Sequence, residues 1–167
     1  MKRIRTVVLT LSLLATLAYF YSYTSSKERL MREGTLVLFE LAPVDPRSLM
    51  QGDYMALRYD ITWRVPHDSL ADGGYLVFGL DPGNVAYYRR VQEGLTPLGS
   101  DEHLIRFRRR GRGGWRADRV EIASTSYFFQ EGEGDKYAAA RYGGIRVDGS
   151  GDAILIGLYD AGGELIR

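Results

Sequence analysis

The segment Asp53-Tyr54-Met55-Ala56-Leu57-Arg58-Tyr59-Asp60-Ile61-Thr62-Trp63-Arg64-Val65 decides the fold class. Its odd positions from Met55 to Val65 are all apolar, while the even ones from Tyr54 to Arg64 are mostly polar. A period of two over these twelve residues predicts a long, half-buried antiparallel strand, because successive side chains of an extended chain point to opposite faces. A strand of that length is expected to bend. Further strands are predicted at residues 35–41, 74–80, 85–91, 104–109, 116–123, 126–129, 144–147 and 153–159, separated by turn signals such as Asp81-Pro82-Gly83-Asn84 and Asp148-Gly149-Ser150-Gly151-Asp152. Residues 134–142, rich in Ala138-Ala139-Ala140 and followed by Gly143-Gly144, suit a short helix with a glycine cap. The expected fold is mainly β: a single antiparallel β-sandwich or partly closed barrel with one short helix.

Working outward to the N-terminus, Lys2, Arg3 and Arg5 precede an uncharged, apolar run from Thr6 to Tyr23. Eighteen residues at about 1.5 Å each reach close to the roughly 30 Å of a bilayer's hydrocarbon core. The run predicts a transmembrane helix through residues 6–23, with Tyr19, Phe20, Tyr21 and Tyr23 gathered at its outer end as an aromatic belt. The basic head places the N-terminus in the cytoplasm and the rest of the chain on the far side. A cleaved signal peptide is the rival reading, with a poor small-x-small site at Thr16-Leu17-Ala18. The organisation expected is a cytoplasmic tip and anchor over residues 1–26, a juxtamembrane linker over 27–33 in which the helix continues for about a turn, and an exported β-rich domain over 34–167.

Immediately before the long predicted strand, Asp45 is suited to accept backbone N–H groups at the start of a helical turn. Pro46 suits that turn's first position, and Gly52 allows the positive φ that ends it. Such a turn would present Arg47, Asp53 and Tyr54 from a rigid platform; as a plain scaffold it would simply launch the strand. The run Gly52-Asp53-Tyr54-Met55-Ala56-Leu57-Arg58-Tyr59 resembles the G-D-Y-x-x-L-x-Y signature of the GDYXXLXY family of bacterial membrane-anchored proteins. Asp45-Pro46-Arg47 and the later Tyr127-Phe128-Phe129-Gln130-Glu131-Gly132 are similar to further blocks of that family. The resemblance implies one N-terminal membrane segment, a periplasmic domain at the inner membrane, and a multi-spanning membrane protein as partner. It also adds Tyr59 and Glu131 to the candidate binding residues Asp45, Arg47, Gly52, Asp53 and Tyr54.

Enzymatic readings find little purchase. The chain has no cysteine, which removes disulfides, thiolate metal sites and cysteine nucleophiles. Leu49-x-x-Gly52-Asp53 is similar to the tail of the Ser-Lys signal-peptidase motif, but Val44 stands where the nucleophilic serine belongs. A Ser48–Lys136 pair would need a depressed lysine pKa, against the acidic neighbours Glu131, Glu133 and Asp135. Those acids suit the N-terminus of the short helix instead. His67 and His103 read as loop residues without metal-ligand spacing, and the Asp148–Asp152 segment reads as a turn and not an EF-hand. No cofactor is called for, and an envelope hydrolase would need a site assembled from positions distant in sequence.

Seven arginines crowd residues 106–119, with Phe107 and Trp115 among them. Ile105 and Phe107 alternate with Arg106 and Arg108, which puts those two arginines on the solvated face of a hairpin whose tip is Gly111-Arg112-Gly113-Gly114. Arg108, Arg109 and Arg112 are candidates for an anionic lipid or envelope polymer. Nucleic acid is not an expected partner, since lysine plus arginine exceed aspartate plus glutamate by 22 to 21 only and an exported domain does not meet the chromosome. The expected function is a non-catalytic interaction or accessory module.

Overall fold

A computed structural model describes residues 2–42, 54–66, 72–110 and 119–167. The N-terminal run forms one helix, α1 (Lys2–Glu33), with the apolar side chains between Ile4 and Tyr23 exposed all round. Its 32 residues correspond to about 48 Å, longer than a bilayer core. The helix passes without interruption from the apolar stretch into the body, where Leu30 is buried.

Among the described residues the body is mainly β, with three antiparallel sheets. The first contains β1 (Thr35–Glu40), β8 (Tyr142–Val147) and β9 (Ala153–Tyr159) in the order β1-β8-β9. The second has the order β4-β3-β5-β6, from β3 (Gly73–Leu80), β4 (Ala86–Gln92), β5 (His103–Arg110) and β6 (Arg119–Ile122). A small third sheet pairs β2 (Tyr54–Ala56) with β7 (Ser126–Phe128). A parallel bridge between Leu38 and Val85 stitches the two larger sheets at one point, where the Leu38 N–H donates to the Asn84 carbonyl at 2.9 Å. Val37 and Phe39 of β1, Leu76 and Phe78 of β3, Ile105 and Phe107 of β5, and Ile145 and Leu158 from β8 and β9 pack into one core. This is a sandwich-like arrangement, and among the described residues no sheet closes into a barrel.

The long strand expected over residues 53–65 is replaced by two shorter pieces. After β2 the chain makes an isolated bridge at Tyr59 to Leu41 and then turns into a 3-10 helix, Asp60–Arg64. Local hydrogen bonds outcompete the ladder there. The Thr62 hydroxyl and N–H both donate to the Tyr59 carbonyl, at 2.7 and 3.1 Å, and Arg64 pairs with Asp60 at 3.1 Å. The alternation nevertheless identifies the core: Met55, Leu57, Tyr59, Ile61 and Val65 are all buried, and only Trp63, at 67 % exposure, breaks the pattern.

The helix expected over residues 134–142 is a single turn, α2 (Gly134–Tyr137), and Gly143-Gly144 lie inside β8. Their role is close approach. A Cβ on Gly143 would stand 2.9 Å from Tyr59 Cε1, and one on Gly144 would stand 2.1 Å from Tyr159 Cε2. Two tyrosine rings therefore pack against backbone at the two positions of β8 that carry no side chain.

Candidate functional site

The signature residues divide by burial. Leu57 packs in the core with its N–H donating to the Thr125 carbonyl at 2.8 Å. Tyr59 meets Phe39 edge-on, with ring centroids 6.1 Å apart, and its hydroxyl donates to the Ser124 carbonyl at 2.9 Å. Burial raises the pKa of this phenol above its ordinary value, so it stays a neutral donor. Tyr54 is exposed and lies against Phe128 across the β2–β7 pair, centroids 5.8 Å apart. Phe128 is 74 % exposed. Tyr59 is thus a framework residue, and Tyr54 with Phe128 forms a surface aromatic pair.

The remaining candidates fare differently. Asp45, Arg47, Gly52, Asp53 and Arg112 lie outside the described residues, as do His67 and Ser48. Glu131 is an exposed residue in the turn before α2. Glu133 pairs with Lys136 at 3.1 Å, which keeps that amine in an ion pair and over the Tyr137 ring. His103, read from sequence as a loop residue, opens β5 and is half-buried against the Phe78 ring at 5.7 Å. Asp148 Oδ1 accepts from the N–H groups of Ser150 and Asp152 and from the Ser150 hydroxyl, the turn that its sequence indicated. Among the described residues no cluster of three or more metal-ligating side chains occurs.

The arginines of β5 do come together with other groups. Arg106, Arg108 and Arg110 are exposed, whereas Arg109 is half-buried, with its backbone N–H on the Asp72 carbonyl at 3.2 Å. The three exposed side chains line an open cleft of about 440 Å³ together with Lys27 of α1, Glu121, Ser124, Thr125 and Asp152. Lys27 and Arg106 reach Asp152 at 3.5 and 3.6 Å, and Arg110 reaches Glu121 at 3.2 Å. The Tyr75 ring carries the Arg106 guanidinium at 5.7 Å from its centroid. Hydrogen bonding to the Tyr75 hydroxyl is the main reason the Arg106 pKa rises, which fixes an already permanent charge. Among the described residues four cations face two carboxylates there, an excess of positive charge. Lys27 and Asp152 were not singled out in the sequence. The available signal was Lys27 as the first cation after the apolar run, but nothing local ties it to Asp152, 125 positions away.

A second charged cluster is structural. Arg90 donates to Glu102, whose other oxygen accepts the Gly99 N–H at 2.8 Å, and Arg89 approaches Glu102 at 3.5 Å and pairs with Asp101. The Arg90 hydrogen bond, then the Gly99 N–H, hold the Glu102 carboxyl down to about 2.

No curated protein and no solved structure matches the chain. The family model described as GDYXXLXY protein matches residues 16–158. That span takes in the C-terminal half of α1, the signature and all but the last residue of β9. The chain belongs to the GDYXXLXY family.

Proposed function

We propose that this protein is a membrane-tethered accessory module, anchored by residues 6–23 with its N-terminus in the cytoplasm and its β-rich body in the periplasm, that works with a multi-spanning membrane protein. One observation carries the reading: a single helix offers apolar side chains on every face from Ile4 to Tyr23 and then, without a break, seats Leu30 in the body. An all-round apolar helix with nothing covering it needs lipid or other helices as solvent. The continuous helix transmits any contact in the bilayer to the sheets of the body, and the exposed Tyr54–Phe128 pair offers that body an aromatic contact surface.

Because the chain lacks cysteine, single-cysteine variants give a clean test. In intact spheroplasts, Gly162→Cys is expected to react with a membrane-impermeant maleimide while Lys2→Cys does not. A photo-crosslinking residue at Leu13 or Phe20 is expected to yield an adduct with a protein of several spans. Reversed labelling, or no such adduct, overturns the reading.

A further inference from the structure

We infer that the cleft beside Lys27 and the apolar trough that continues from it form a binding site for one anionic phospholipid, the phosphate held by Lys27, Arg106, Arg108 and Arg110 and the acyl portion lying against Phe128, Ile154 and Leu155. This rests on the anchored reading above. Charge provides the first half of the argument. Arg106 and Arg108 project from one face of β5 at a two-residue spacing, as does Arg110, and Lys27 closes the row from α1. Asp152 and Glu121 each sit in ion pairs and so orient Lys27, Arg106 and Arg110. Arg108 has no ion-pair partner among the described residues and carries the uncompensated charge that an anion would meet. Planar guanidinium groups bind phosphate oxygens through two parallel N–H donors, which makes phosphate a better match than a diffuse anion.

The second half is the amphipathic continuation. Ala123, Ser124 and Ala153 line the cationic cleft and equally line a neighbouring trough of about 490 Å³, whose other walls include Tyr127, Phe128, Ile154 and Leu155. One continuous surface therefore passes from four cations, over two small residues and a serine, to an exposed phenyl ring and two half-buried aliphatic chains. A soluble phosphate has no use for the apolar half, and a neutral lipid has none for the cationic half. Position completes the case. Lys27 follows Tyr23, the last residue of the apolar run, by four positions, about 6 Å along a helix. The cationic end thus stands at headgroup level, within the roughly 8 Å over which charges act in physiological salt.

The test uses the full chain, purified in mild detergent, delipidated, and titrated with phosphatidylglycerol or phosphatidylcholine under native mass spectrometry. Wild type is expected to retain phosphatidylglycerol at least fivefold better than phosphatidylcholine. Arg108→Gln is expected to cut that preference severalfold, and Arg106→Gln/Arg108→Gln/Arg110→Gln to abolish it. Phe128→Ser is expected to weaken retention of both lipids while keeping the preference. Arg64→Gln, in an ion pair on the 3-10 helix, is the control and should behave as wild type. Equal retention of the two lipids by wild type overturns the proposal, as does an undiminished preference in Arg108→Gln, a variant at an exposed site that keeps every described ion pair. Tighter binding of soluble polyphosphate with no lipid preference would replace the lipid by an envelope polyanion and also overturn it. In vesicles of the same lipids, loss of the chain to carbonate washing overturns the anchored reading and this one together. Carbonate resistance without lipid preference sinks this proposal alone.

Discussion

At the scale of single residues, Tyr59 shows how a recurrent motif position earns its place by packing. Its ring occupies the space left by the missing side chain of Gly143, its edge meets Phe39, and its hydroxyl satisfies the Ser124 carbonyl. Tyr59→Phe removes the hydrogen bond to the exposed residue Ser124 and leaves the shape, which is expected to cost about 1 kcal/mol. Tyr59→Ala opens a cavity beside Phe39 and Gly143 and is expected to cost about 3–5 kcal/mol. Chemical denaturation of the full chain in mild detergent checks both values. Equal losses for the two variants would mean that the hydroxyl, and not the ring, is what the position requires. Gly151 is the other residue-scale device, with φ +78 and a would-be Cβ 2.6 Å from Leu104 Cδ1, so the turn that presents Asp152 to Lys27 accepts no side chain there.

At the scale of elements, three hairpin turns are built alike. Asp81, Asp148 and Asp160 each turn Oδ1 onto the N–H groups two and four residues on, at 2.8–3.0 Å. Asp81 and Asp148 thereby close the β3–β4 and β8–β9 hairpins, and Asp160 folds the chain back from β9 to the isolated Tyr159–Leu165 bridge. The connection between β4 and β5 is held by another device, the Arg90–Glu102 pair with the Gly99 N–H. Because the folded state lowers the Glu102 pKa from 4.5 to about 2, its contribution is present above the unfolded value and is lost as pH falls from about 4.5 towards 2. Glu102→Gln is expected to flatten the fall in stability over that window and to leave the dependence above pH 6 unchanged. Thermal unfolding of both proteins from pH 2 to 7 measures it, and identical acid limbs would refute the assignment.

At the scale of the whole molecule, the helix and the body are coupled through the last two turns of α1. Leu30 is 3 % exposed, its carbonyl accepts the Gly34 N–H at 3.0 Å, and the Gly34 carbonyl accepts from Arg146 at 2.6 Å. Lys27 adds the Asp152 contact one turn earlier. Leu30→Ala is expected to cost about 2–5 kcal/mol of this docking and to expose the Glu33–Thr35 junction to protease while β1 through β9 stay protected. Resistance equal to wild type would show that the junction is held without Leu30. Under the proposed accessory role, this docking is what would carry a displacement of the helix to β8 and β9, the strands that α1 contacts.

Local sequence determined the apolar helix, most of the strands, the aspartate turns and the burial of Met55, Leu57, Tyr59, Ile61 and Val65, because hydropathy period and turn chemistry act between residues close in the chain. The expected strands at 35–41, 74–80, 85–91, 104–109, 126–129, 144–147 and 153–159 coincide with β1, β3, β4, β5, β7, β8 and β9 to within a residue or two. The path after Ala56 was not legible, since alternation reports which side chains are buried and says nothing of whether Thr62 will bond locally or to a neighbouring strand. Nor was the role of Gly143-Gly144, which depends on two tyrosine rings arriving from distant segments. The cationic cleft is the clearest case: the arginine row could be read from β5, but its continuation into Lys27 and its junction with the apolar trough exist only because folding closes the 125-position separation of Lys27 and Asp152.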